Sequence, residues 1–189
     1  SSYSSIKNDA IGATLFTSFN QSDAFDPAKN GFSAIPKFDR WTFNPRIFFE
    51  DAKSELKIGL NAIQEDRLGG YMQYVNKKNN VPAYFEQINT DRLSSQIEYI
   101  RELNSGNEIV FKNSINHYQQ ELKIPIYFFA GTQTSSFSEL HLLGASQKLD
   151  WVIGINLWTE KFDQEQPDSS QILDLKTETW GLFTQGTFL

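Results

Sequence analysis

His117 and His141 are the two imidazoles of the chain, and it contains no cysteine. Nucleophilic hydrolysis needs a Ser, Thr or Cys held beside a base, with a third group to orient that base. Neither histidine lies in a G-x-S-x-G or H-E-x-x-H setting, and the two are not at metal-ligand spacing. They read as lumen-facing or interfacial side chains. Glu65, Asp66, Asp163, Glu165 and Asp168 fall in polar connectors, where a carboxylate is normally just solvated. The 163–168 stretch lacks the D-x-[DN]-x-[DN]-G spacing of a calcium loop. No two carboxylates stand out as an acid and base pair for glycoside hydrolysis. The expectation is a non-enzyme without metal or cofactor.

Binding is better represented. Arg67, Tyr71, Tyr74, Tyr84 and Phe85 crowd one connector, expected over 65–91, and they are the candidate ligand-binding residues. The plainer account of the aromatics is that they pack the connector against itself. Gly69, Gly70 and Gly131 read as turn or bulge positions, and Asn20-Gln21-Ser22 matches a glycosylation triplet that arises often by chance.

Composition narrows the setting of these residues. A formal charge of −6 and a pI near 4.9, with Lys and Arg unclustered, exclude the basic face that phosphate neutralisation requires, so no nucleic-acid partner is expected. Without cysteine there is no disulfide framework. The longest apolar run, 124–130, is far short of the roughly 20 residues of a spanning helix. Residues 1–10 lack the basic and apolar blocks of a signal peptide. Aromatic residues reach 14% while mean hydropathy stays at −0.45, which is the average that strands with one apolar and one polar face produce.

Period-two alternation gives about eight strands. Between 37 and 49, Trp41, Phe43, Pro45, Ile47 and Phe49 oppose Arg40, Thr42, Asn44 and Arg46. The same design recurs over 56–64, 92–101, 108–118, 150–159 and 177–188, and less cleanly over 10–19 and 134–143. Short gaps at 50–55, 102–107 and 144–149 alternate with long polar stretches at 20–36, 65–91, 119–133 and 160–176. That rhythm is the one expected of an outer-membrane barrel, whose strands of about 9–11 residues join short turns and long loops. Trp41, Trp158 and Trp180 near loop ends and Trp151 near a turn end fit aromatic belts at the two interfaces.

Several phrases carry a family resemblance: Asn44-Pro45-Arg46-Ile47-Phe48-Phe49; Ile58-Gly59-Leu60-Asn61 with Glu65-Asp66-Arg67 and Gly69-Gly70; Gly131-Thr132-Gln133 leading to Phe137-Ser138-Glu139-Leu140; Asp150-Trp151-Val152-Ile153-Gly154; and the run from Trp180 to Phe188. They resemble the middle of the β-barrel of TonB-dependent outer-membrane receptors of the Bacteroidetes type. The resemblance implies an all-β, antiparallel transmembrane barrel, with 1–189 as one barrel segment of about eight strands within a barrel of about 22, and a plug domain outside this chain. It further implies an outer-membrane location, lipid and the TonB energy-coupling complex as partners, and uptake of a scarce small molecule such as an iron chelate, cobalamin or oligosaccharide. Two other readings stand beside it. One is a complete eight-stranded outer-membrane barrel with a structural or adhesive role. The other is a soluble β-sandwich that binds carbohydrate or protein, with its apolar faces meeting in a core.

Overall fold

A computed structural model describes residues 1–76, 83–103, 106–165 and 173–188. The strands are β1 (Ser2–Lys7), β2 (Ile11–Ser22), β3 (Lys37–Glu50), β4 (Ser54–Gly70), β5 (Phe85–Glu102), β6 (Glu108–Ile124), β7 (Tyr127–Ala145), β8 (Leu149–Gln164) and β9 (Asp174–Phe188), with one short helix, α1 (Met72–Val75). All nine strands form a single antiparallel sheet in sequence order. Each strand pairs with the next through a hairpin, so the topology is a plain meander. Every alternating segment of the sequence becomes a strand, and the six residues of β1 add a ninth that alternation did not reveal.

The register turns one-dimensional alternation into two faces. A row of opposed residues crosses eight strands as Ile11, Phe49, Leu56, Tyr99, Phe111, Leu140, Ile155 and Leu182. One residue along on the other face, a parallel row reads Lys57, Glu98, Lys112 and Glu139 across β4 to β7. Opposite charges directly across a ladder attract and like charges repel, so this alternation favours the observed register. A slip of one residue would exchange apolar and charged sets on one strand alone. Pro45 lies inside β3, where the ladder to β4 breaks between Phe43 opposite Ala62 and Arg46 opposite Gly59. The pairing resumes in the same register, so the missing donor is absorbed without a bulge.

A sheet in one layer has no interior of its own. Among the described residues the buried apolar side chains are Val75, Val110 and Ala130, and no large side chain is fully enclosed. Phe111, Leu140 and Leu182 of the apolar row are 38%, 43% and 84% exposed, whereas Glu65 and Ser18 on the polar face are each 8% exposed. The polar face is therefore the better shielded of the two.

These observations correct the expected architecture. A sheet can span lipid only when every edge group is paired, which requires closure. Here β1 and β9 are the two ends of an open sheet and do not pair with each other. A closed transmembrane barrel is not the structure found: the nine strands form an open sheet. With closure go the outer-membrane location, the lipid partner and the TonB-coupled transport that rested on it. The strands are also longer than expected, since β4 to β8 run to 16–19 residues. No helix is long and apolar enough to cross a membrane among the described residues. The sandwich is corrected in its layering, because the nine strands share one sheet instead of two.

The connector rhythm changes as well. The stretch 119–133, expected as a long loop, is a tight hairpin: β6 runs to Ile124, β7 starts at Tyr127, and Pro125-Ile126 make the turn. Proline presets a negative φ at the first turn position, and neither residue adopts positive φ. The expected loop 65–91 is strand at both ends, since β4 continues to Gly70 and β5 begins at Phe85.

If the ladder is the principal source of order, amides flanked by strands on both sides should exchange far more slowly than those of terminal β1, which is exposed throughout. Hydrogen exchange read by mass spectrometry should show β4 to β7 protected longest and β1 exchanging first.

Candidate functional site

The five candidate residues separate into three groups. Arg67 sits within β4, on the polar face of the sheet and not in a loop. There it donates from Nη2 to Glu65 Oε1 at 2.8 Å, while Arg40 on β3 bonds the other oxygen, Glu65 Oε2. The Glu65 side chain is 10% exposed, so it is a shielded carboxylate held between two guanidinium groups. Arg40 also lies 5.7 Å over the Phe38 ring. Arg67 Nε is buried with no hydrogen-bond partner. Sequence reading found Arg67 but missed Arg40 and Glu65 as its partners, because only the register places Arg40 opposite Glu65.

Tyr71 and Tyr84 form the second group, at the end of the β4–β5 hairpin. The Tyr71 amide donates to the Tyr84 carbonyl at 2.9 Å, and both rings approach Phe32 from the 23–36 connector. Ring centroids lie 4.1 Å apart for Phe32 and Tyr71 and 6.3 Å for Phe32 and Tyr84. All three rings are more than a third exposed, at 37%, 41% and 42%. The third group, Tyr74 on α1 and Phe85 at the start of β5, is a separate stacked pair at 4.5 Å with planes 5° apart. It is self-packing, as the plainer sequence account holds.

The frame beneath the exposed rings is built from backbone bonds. Gly70 donates to Ser33 Oγ and its carbonyl accepts from the Ser33 amide, both at 2.9 Å, and Met72 donates to the Gly31 carbonyl at 2.8 Å. Asp26 closes the upstream loop by accepting from the Gly31 amide at 2.7 Å and the Asn30 amide at 3.3 Å. Gly70 itself has φ +118, and a Cβ there would stand 2.5 Å from the Tyr84 carbonyl oxygen. Only glycine fits where the two strand ends approach this closely. Phe32 carried no sequence signal of its own, since it lies in a different connector and joins Tyr71 through an isolated bridge.

The residues weighed for catalysis are dispersed. His117 Nδ1 contacts Thr134 Oγ1 at 3.0 Å across the β6–β7 ladder, without a carboxylate to orient the ring. His117 lies inside β6 rather than near its end, and in an open sheet it faces no lumen. His141 Nδ1 pairs with Glu139 Oε1 at 3.1 Å, with Phe183 against the ring edge. Glu65 and Asp66 are strand residues, Asp163 lies within β8 in an ion pair with Lys161 at 2.7 Å, and Glu165 accepts from Thr132 Oγ1 at 3.1 Å. Asp168 lies outside the described residues. No group of three His, Cys, Asp or Glu residues suited to a metal ion occurs among the described residues.

No family model matches the chain, and no curated protein matches it. One solved structure that aligns with it is described as "Copper transporter OprC", at TM-score 0.47 and 7% identity. The alignment covers 96% of this chain and 38% of that one. A likeness of that degree transfers neither fold nor activity. The resemblance to TonB-dependent receptors therefore gains no family match, and the open sheet opposes it.

Gly70→Ala should destabilise the chain by about 2 kcal/mol, combining the strained φ with the backbone clash, and chemical denaturation followed by circular dichroism would measure it. A second expectation concerns the charge row. Lys57 donates to Glu98 at 2.9 Å and pairs with Glu55 at 3.2 Å, which raises its pKa above 10.5. A raised folded value stabilises fully below the unfolded pKa and is lost as pH climbs through the folded one. Lys57 is 42% exposed, so solvent screening keeps the effect under about 1 kcal/mol. Stability measured between about pH 10 and 12 should fall more steeply in the native chain than in Lys57→Gln.

Proposed function

We propose that this chain is a non-catalytic binding module that captures carbohydrate on the exposed ring platform of Phe32, Tyr71 and Tyr84. One observation carries the reading: three neighbouring rings stay more than a third exposed although the backbone beneath them is clamped on both sides. A rigid, partly wet aromatic surface has already lost its conformational entropy, so a ligand that stacks on it gains without ordering the site. Sugar rings present a flat C–H face suited to uncharged aromatics, with hydroxyls left for neighbouring polar groups. The Arg40–Glu65–Arg67 cluster stabilises the polar face nearby and is assigned no direct contact.

Isothermal titration with a panel of soluble malto-, cello-, xylo- and chito-oligosaccharides should find one class that binds. Tyr71→Ala and Tyr84→Ala should each weaken that binding by about tenfold, equivalent to about 1.4 kcal/mol. Tyr74→Ala, in the self-packed pair, should leave affinity unchanged while lowering thermal stability. Absence of binding by every class, or equal affinity in the Tyr71 and Tyr84 variants, would remove the reading.

A further inference from the structure

The polar face carries a recess toward the opposite end of β4 from the aromatic platform. It is a cavity of about 340 Å³ that crosses β3 to β7 along the register row Arg46, Gly59, Gln96, Ser114 and Phe137. Gly59 forms its floor. The φ of Gly59 is not positive, and a Cβ added there would meet Arg46 Cγ at 3.6 Å and Gln96 Cβ at 4.0 Å, which is ordinary contact. The backbone therefore does not require glycine here, and its effect is the gap in the row. Phe48 and Phe137 line the recess, and the Phe137 ring is itself backed by Trp158 at 6.2 Å.

Charge is concentrated in the same place. The lining carries Arg46, Lys57 and Lys112 against the acid Glu98, a net positive patch in a chain of net charge −6. Two of these cations have no acidic partner among the described residues. Glu98 and Glu139 stand opposite Lys112, but Lys57 holds Glu98 at 2.9 Å and His141 bonds Glu139 at 3.1 Å, so Lys112 forms no ion pair or hydrogen bond there. Arg46 donates from Nε to Asn44 Oδ1 at 3.2 Å, which leaves the Nη1 and Nη2 end of its fork for a carboxylate.

We infer that this recess binds a flat organic dianion, an aromatic ring with a carboxylate at each end. One carboxylate meets Arg46, the other meets Lys112, and the ring lies over Gly59 and Gln96 with Phe48 and Phe137 at its margins. Arg46 on β3 and Lys112 on β6 are three strand spacings apart, roughly 14 Å between backbones. Each side chain spans part of that distance, so what is left suits one ring with two carboxylates and is more than an inorganic anion fills. The volume is also that of a small-ligand pocket. Because the chain as a whole repels a dianion, capture depends on these local cations.

Isothermal titration with terephthalate should show one saturable site that weakens as salt rises. Benzoate, with the ring and one charge, should bind about tenfold more weakly, and neutral benzamide should not bind. Arg46→Gln and Lys112→Gln should each lower terephthalate affinity about tenfold, whereas Lys148→Gln, in the β7–β8 turn, should leave it unchanged. Gly59→Val tests the cavity without altering charge. Valine suits a strand and fills the floor, so terephthalate binding should be lost while β-sheet circular dichroism is retained. If that variant loses its sheet signal, the Arg46 and Lys112 variants decide alone. Absence of terephthalate binding, equal binding of benzamide, or full affinity in a folded Gly59→Val overturns the proposal. So does full affinity in both Arg46→Gln and Lys112→Gln, or an equal loss in Lys148→Gln, which marks diffuse charge attraction only.

Discussion

Everything in this molecule depends on a continuous antiparallel ladder that must hold its register without a core. In a two-layer fold a slipped strand is penalised by the opposite layer. Here the penalty comes from within the sheet, where the row from Ile11 to Leu182 and the row from Lys57 to Glu139 are one residue apart on opposite faces. Each opposed pair contributes only about 0.2–1 kcal/mol relative to alanine. Repetition over eight interfaces makes the sum decisive, and Pro45 shows its strength, since the ladder loses a donor there and resumes unshifted.

The two faces are shielded unequally, and chemistry follows from that inequality. Long polar side chains on one face reach across to neighbours, as Arg40 and Arg67 do to Glu65, and cover one another. Apolar side chains on the other face stand beside their neighbours without covering them, so Phe111 and Leu140 remain over a third exposed. An apolar surface of this extent is the kind that interaction sites present. The sheet thus exposes apolar area on one face, polar networks on the other, and an aromatic platform at one hairpin end.

Legibility in the sequence tracked how local each determinant is. Alternation depends on neighbours two apart, so the Trp41 to Phe49 strand and its counterparts were readable directly. β1 was not, because Ser-Tyr-Ser-Ser-Ile has too little apolar contrast to register as period two. The 119–133 stretch misled for a different reason: Gln119, Gln120, Glu121 and Lys123 look like loop composition, yet they are strand residues of the polar extension beyond the apolar band. Whether a meander closes on itself is not local at all. It depends on whether the first and last strands meet, and no residue pattern within either strand encodes that.

The candidate residues divide along the same line. Tyr71 and Tyr84 were found because they share a connector, whereas Phe32 comes from another and meets them only after Gly70 and Ser33 draw the two together. Gly70 links fold and site at this point. Its positive φ lets β4 end against the Tyr84 carbonyl, and that closeness holds the rings at the surface instead of letting them fold onto the sheet. Tyr74 of α1 and Phe85, which lies directly opposite Gly70, instead stack on each other.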